Sequence, residues 1–161
     1  MEKVIISLNG PGKQGKSSVV KLLVSRIRQA YPEAVTEKSV GTTNTEKKDD
    51  IKTIIIIGTI KIGIESTGDP GSNLEKSLKE FVKVECDIII CSSRTKGKPM
   101  EWVNAVANHE GYQLIKTGNH RYRHSEQAIT DKNVLNDLSA DALFSLFQYY
   151  LTLLTDKNNN I

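Results

Sequence analysis

The chain predicts an α/β fold: a mostly parallel central sheet with one antiparallel hairpin strand and helices on both faces. Three observations carry that expectation. The apolar run Val4-Ile5-Ile6-Ser7-Leu8 feeds a glycine-rich turn that opens a helically spaced segment. Further along, β-branched apolar runs alternate with stretches of helical periodicity, the pattern of strands joined by crossover helices. The 161 residues contain no repeat or linker, so one domain over 1–155 is expected. A chain of that size buries roughly two-thirds of its unfolded surface.

Taken in order, a first strand covers 3–8 and a first helix 16–30. Val19, Val20, Leu22, Leu23 and Ile27 fall on the helix's buried side, and Tyr31-Pro32 ends it. Residues 35–40 suit a short strand, and the polar 41–50 an exposed loop. The isoleucine-rich stretch 51–65 is broken by Gly58-Thr59, which reads as a tight hairpin between two antiparallel strands. Ser72-x-x-Glu75 is a capping box for a helix carrying Leu74, Leu78, Phe81 and Val82. A buried strand follows at 87–91. Pro99 then sits in the first turn of a helix bearing Trp102, Val103 and Val106, with His109 near its end and Gly111 closing it. Residues 112–116 form another strand. Ser139 is expected to cap a last helix over 140–155, with a frayed tail at 156–161.

Gly10-Pro11-Gly12-Lys13-Gln14-Gly15-Lys16-Ser17 fits G-x-x-x-x-G-K-[ST] at every defined position. Glycines let backbone wrap a phosphate without a Cβ in the way. The helix N-terminus behind them offers unpaired N–H groups and the positive end of the dipole. This loop resembles the P-loop NTPase superfamily. The resemblance implies that Lys16 reaches the β- and γ-phosphates and that Ser17 ligates Mg²⁺. The lining would run through Gly12, Lys13, Gln14, Gly15, Lys16, Ser17 and Ser18, with amides from Lys13 to Ser18 cradling the oxygens.

Hydrolysis also needs a carboxylate near Mg²⁺ and a group that senses the γ-phosphate. Glu65, ending an apolar strand, is the acidic candidate for catalysis and for the metal, with Asp69 as the alternative. Gly68 suits either a close backbone approach to a terminal phosphate or an ordinary turn before Asp69-Pro70-Gly71. Glu65-Ser66-Thr67-Gly68 is similar to the E-x-x-G segment of metallochaperone GTPases of the urease-accessory and cobalamin-synthesis type. The hairpin ahead of it looks like the strand pair before D-x-x-G in small Ras-like GTPases. By that likeness Thr42, Thr43 or Thr45 would be a switch threonine. The base-reading N-K-x-D segment of those GTPases is absent: the two late strands end in Cys91-Ser92-Ser93-Arg94 and Lys116-Thr117-Gly118-Asn119. ATP is therefore favoured over GTP, with Asn119 a further base contact to test.

Arg94 follows a buried strand at the sheet edge where α/β folds bind ligands, so its planar fork suits a phosphate. With Lys96 and Lys98 it forms a basic loop that either holds an acceptor or faces solvent. His120, Arg121, Tyr122, Arg123 and His124 make a second basic, aromatic cluster suited to charge and stacking contacts. Cys86 and Cys91 read as buried thiols. The last helix, with Leu143, Phe144, Leu146, Phe147, Tyr149, Tyr150, Leu151, Leu153 and Leu154, is apolar nearly all round. Packing on the sheet explains most of it, and the remainder suits a homodimer or a protein partner.

A net charge of +3 with 25% charged residues agrees with a phosphate ligand and gives no sign of a polyanion-coating or disordered chain. Nucleic acid stays open without being indicated. Apolar runs are too short for a signal peptide or a membrane span, which places the chain in the cytoplasm as an expectation. The leading expectation is a Mg²⁺-dependent NTPase acting as a switch. The runner-up is a phosphotransferase of the nucleotide-kinase type, and the third a non-catalytic nucleotide-responsive binding module.

Overall fold

The computed structural model describes the chain except residues 1, 12–14, 42–49, 123–125, 127 and 161. Its elements run β1 (Lys3–Asn9), α1 (Lys16–Ala30), β2 (Val35–Gly41), β3 (Ile51–Ile57), β4 (Ile60–Glu65), α2 (Leu74–Lys83), β5 (Ile88–Ser93), α3 (Lys98–Glu110), β6 (Tyr112–Gly118) and α4 (Lys132–Asn159). The strands form one sheet in the order β2-β3-β4-β5-β1-β6. β4, β5, β1 and β6 are mutually parallel, while β3 runs against both its neighbours. The expected hairpin is present, with Ile57 paired to Ile60 across Gly58-Thr59 and Gly58 at φ 59°.

Both faces of the sheet are covered. On one, α1 and α4 pack over Val4, Ile6, Leu8, Ile62, Ile64, Ile88 and Ile90. On the other, α2 and α3 bring Leu74, Leu78, Phe81, Met100 and Val103 onto Ile5, Ile54 and Ile89. The alternating residues of β1 and β5 thus serve opposite cores, as a two-residue side-chain period requires. Cys86 and Cys91 lie buried and unbridged in the second core, and burial pushes both thiols up to about 12. They are packing residues, not nucleophiles.

Gly63 in β4 marks a close helix–sheet contact. A Cβ there would stand 2.6 Å from Cγ of Phe81. Gly63→Ala should therefore overpack the α2 face and cost about 1–3 kcal/mol, read as a lower urea midpoint with unchanged m-value.

Three expectations need correction. α4 starts at Lys132, not beside Ser139, because the Asp131 carboxylate caps it by accepting from Asn133 N at 2.7 Å. Ser139 is buried inside the helix, where its hydroxyl accepts from His120 N at 2.7 Å. Residues 156–159 continue the helix; Lys157 pairs with Glu2, and Asn158 Nδ2 donates to Thr59 Oγ1 at 3.4 Å. These contacts tie the last turn to the sheet's far end. α2 begins one residue later than a Ser72 cap requires. Asn73 is its N-cap without a side-chain bond, and Ser72 Oγ accepts from Leu74 N at 3.3 Å. Leu74, the first residue of the helix, is fully buried.

α4 is also less uniformly packed than its composition suggested. Leu143, Phe147, Leu151 and Leu154 are buried against α1 and the sheet, whereas Val134, Leu138 and Tyr149 are exposed. Among the described residues no helix is long and apolar enough to cross a membrane.

Candidate functional site

The parallel strands β1, β4, β5 and β6 end at one edge of the sheet, and antiparallel β3 begins there. From that edge α1 leaves β1 for one face, while α3 leaves its neighbour β5 for the other. A crevice opens where adjacent connections diverge, and open α/β sheets bind ligands in such places.

Gly15 opens α1 in the left-handed region, at φ 84°. Neither a capping side chain nor an acidic first-turn residue serves the first turn, which leaves the positive end of the helix dipole open. Lys16 is buried, and its ammonium donates to Gly10 O at 2.6 Å and Pro11 O at 2.8 Å. Burial holds its pKa below the ordinary lysine value; Arg94 and Arg121 push the same way, and Asp69 opposes them. Arg121 Nη1 and Asn119 Oδ1 both stand 3.4 Å from where a Gly10 Cβ would be. Three cations from β1–α1, β5–α3 and the segment after β6 thus gather at one loop. Asp69, paired with Arg94, supplies a balancing carboxylate. Ser18 is exposed on α1's first turn. Gly12, Lys13 and Gln14 lie outside the described residues.

The carboxylate beside Ser17 is not the expected one. Ser17 Oγ donates to Asp50 Oδ1 at 3.0 Å, and Ser66 Oγ lies 3.4 Å from the same oxygen. Ser66 fixes this arrangement: Ile51 N donates to its hydroxyl at 2.7 Å, and its own N–H donates to Ile51 O at 2.9 Å. The β3–β4 ladder is thereby extended by one step, which delivers Asp50 to Ser17.

Glu65 turns away from the loop. Its Oε1 accepts from Thr67 N at 3.1 Å and Thr67 Oγ1 at 2.7 Å, and its Oε2 accepts from Ser77 Oγ of α2 at 2.7 Å. With the residue only 3% exposed, these bonds make it a buried brace between β4 and α2, not a ligand of a metal at Ser17. Alternation along β4 sets Ile64 toward α1 and Glu65 toward α2, so the carboxylate falls on the face opposite α1.

Gly68 has a packing reason of its own: an added Cβ would lie 2.1 Å from Ser92 O and 2.7 Å from Ser93 N. The 66–68 segment is pressed onto the end of β5, and Ser92 Oγ donates to Ser66 O at 2.6 Å. Ser93 O in turn accepts from Gly10 N at 3.2 Å, so β5's end bridges Gly68 and the loop. Asp69 pairs with Arg94, Oδ1 to Nε 3.0 Å, both partly exposed. Lys96 and Lys98 are exposed, and Lys98 lies 3.6 Å from Glu101, so most of that basic loop faces solvent.

Beside Arg121 a cleft of about 710 Å³ is lined by Asn119, His120, Arg121, Tyr122, Leu135 and Leu138. It joins polar groups to two leucines of α4, next to the gathered cations. Thr42, Thr43, Thr45, Arg123 and His124 lie outside the described residues. Among the described residues no three His, Cys, Asp or Glu side chains cluster as a metal site.

The sequence reading missed Asp50, Ser66 as its anchor, and the α4 contribution to the cleft. Asp50 had a signal: it is the last residue before a strand antiparallel to the one ending at Glu65, so both ends share one edge. The α4 residues had none, because their helix was expected to start later. Set against known proteins, no family model, no curated protein and no solved structure matches this chain.

Proposed function

We propose that this chain is a P-loop nucleoside triphosphatase that binds Mg²⁺–NTP, ATP in preference to GTP, and hydrolyses the γ-phosphate. One observation carries the reading: the buried Lys16 opens an uncapped helix N-terminus whose Ser17 donates to the Asp50 carboxylate, with Arg121 Nη1 against Gly10 of the same loop. The P-loop pattern spans the same turn.

Mg²⁺ fits the donor set, which is hard oxygen throughout: the Ser17 hydroxyl, one Asp50 carboxylate oxygen and the Ser66 hydroxyl. One carboxylate with phosphates and waters suits a small octahedral cation better than a protein-only cage would. Bound there, the ion would neutralise charge on the β- and γ-oxygens. Ser17 and Asp50 would hold it; Glu65 would not.

In this reading a triphosphate draws the Lys16 ammonium off the Gly10 and Pro11 carbonyls, since a charged acceptor makes the stronger bond. Arg94 then exchanges Asp69 for a phosphate oxygen. Giving up Asp69 costs little, because a partly exposed ion pair contributes about 0–1 kcal/mol. Asp69, released, frees the 69–73 loop to report the loaded state. The cleft at Asn119 takes the base, with Leu135 and Leu138 against its face and Asn119 at its edge.

Thermal denaturation tests binding directly. Mg–ATP at a hundred times its dissociation constant should raise Tm by about 5–10 °C. Phosphate release from ATP and GTP then separates hydrolysis from binding alone. No shift and no heat of binding with either nucleotide would sink the proposal.

A further inference from the structure

Tyr122, from the segment after β6, and Leu135 and Leu138 of α4 belong to neither hydrophobic core, yet all line the cleft of about 710 Å³ beside Arg121. Leu138 is 50% exposed and Tyr122 half-buried. Among the described residues the tyrosine ring pairs with no other aromatic. The leucines have i, i+3 spacing, so they share one side of their helix. The cleft therefore has apolar walls from separate segments of the chain. It also adjoins the glycine-rich loop. Asn119 and Arg121, whose Oδ1 and Nη1 each stand 3.4 Å from where a Gly10 Cβ would be, line the cleft as well. A ligand with its phosphates on the loop places whatever they carry in this space.

Resting on the nucleotide reading above, we propose that Tyr122 selects the class of base, its ring stacking on a purine held against Leu135 and Leu138. Stacking asks for a flat π-face and not for a matched set of donors and acceptors, so it accepts adenine and guanine alike. Its strength grows with the area covered, and a two-ring purine covers more of the tyrosine than a one-ring pyrimidine does. Tyr122 thereby separates purine from pyrimidine nucleotides, while the choice between ATP and GTP falls to the polar edge at Asn119. The same contact shields Leu138, which stands half in water without a ligand. That apolar gain exists only in the loaded state, so it adds to affinity and not to folding.

The test is calorimetric titration of the wild type, Tyr122→Phe and Tyr122→Ala with Mg–ATP, Mg–CTP and Mg–tripolyphosphate. The wild type should bind ATP more tightly than CTP. Tyr122→Ala should weaken ATP about tenfold or more, the scale of one stacked base, and leave tripolyphosphate unchanged. Tyr122→Phe keeps the ring and should bind ATP as the wild type does. Both variants should keep the ligand-free Tm, because the residue lies outside both cores. A ring that only shapes the loop gives a different result: ATP and tripolyphosphate weaken together, which overturns the inference. Equal affinity of the wild type for ATP and CTP overturns it too, as does unchanged ATP binding in Tyr122→Ala. In either case tripolyphosphate binding still marks the phosphate site. If the wild type binds neither ATP nor tripolyphosphate, the nucleotide site and this role for Tyr122 fall together.

Discussion

Lys16→Met should weaken Mg–ATP binding and turnover by about a hundredfold or more, the scale on which removing one preorganised charge donor acts. The same variant should leave the ligand-free protein at least as stable as the wild type. The two halves of that result have one cause. Lys16 is a buried ammonium whose charged form is disfavoured by desolvation and by Arg94 and Arg121, with only Asp69 opposing. Its two hydrogen bonds go to carbonyls of the loop itself, which the chain needs for no strand or helix ladder. Methionine keeps the stem's volume and removes the charge, so the folded state loses a repulsion and two local bonds together. A ligand with concentrated negative charge gives that buried cation a stronger acceptor than the loop carbonyls do. Equal Tm with binding lost, measured by thermal denaturation and calorimetry, is the pattern expected. A variant that binds nucleotide as tightly as the wild type would remove Lys16 from the site.

The split between what the sequence revealed and what it hid follows from the range of the interactions. β1, the glycine-rich turn and α1 were legible because strand period, glycine placement and helix period all act within a few residues. The hairpin at Gly58-Thr59 and the Gly111 stop were legible for the same reason; Gly111 sits at φ 73°, where glycine is at ease. The site was half legible. Lys16 and Ser17 belong to a contiguous pattern, but their partners are set by strand order. Glu65 was the natural acidic candidate because it ends an apolar strand. Its side chain falls on the α2 face, where Ser77 and Thr67 hold it, while α1 lies over the opposite face beside Ile64. The pairing of Ile51 with Ser66 brings Asp50 to Ser17 instead, a long-range fact that motif spacing does not encode. The start of α4 was missed differently. Residues 132–138 carry Asn133, Asn136 and Asp137 among their apolar positions, because that turn faces the loop and a cleft instead of the sheet.

Exchanging the two carboxylates one at a time separates site from scaffold. Asp50→Asn should raise the Mg²⁺ concentration needed for nucleotide binding by about tenfold or more, since a neutral amide replaces the charged oxygen beside Ser17 and a divalent cation there depends on that charge. Its effect on Tm should be small, because the group is only partly buried and an amide oxygen still accepts from Ser17. Glu65→Gln should do the opposite. All three of its bonds are accepted from donors, two by Oε1 and one by Oε2. An amide can keep its oxygen on the Thr67 pair and donate its NH₂ to the Ser77 hydroxyl, so three charge-assisted bonds become neutral ones at a site only 3% exposed. That loss should cost about 1–3 kcal/mol of stability, while the Mg²⁺ dependence of binding stays where it was. Titrating Mg²⁺ at fixed nucleotide, alongside urea denaturation of both variants, reads the two effects independently. If Glu65→Gln shifts the Mg²⁺ requirement and Asp50→Asn does not, the metal belongs at the end of β4 and the roles given to these residues are reversed.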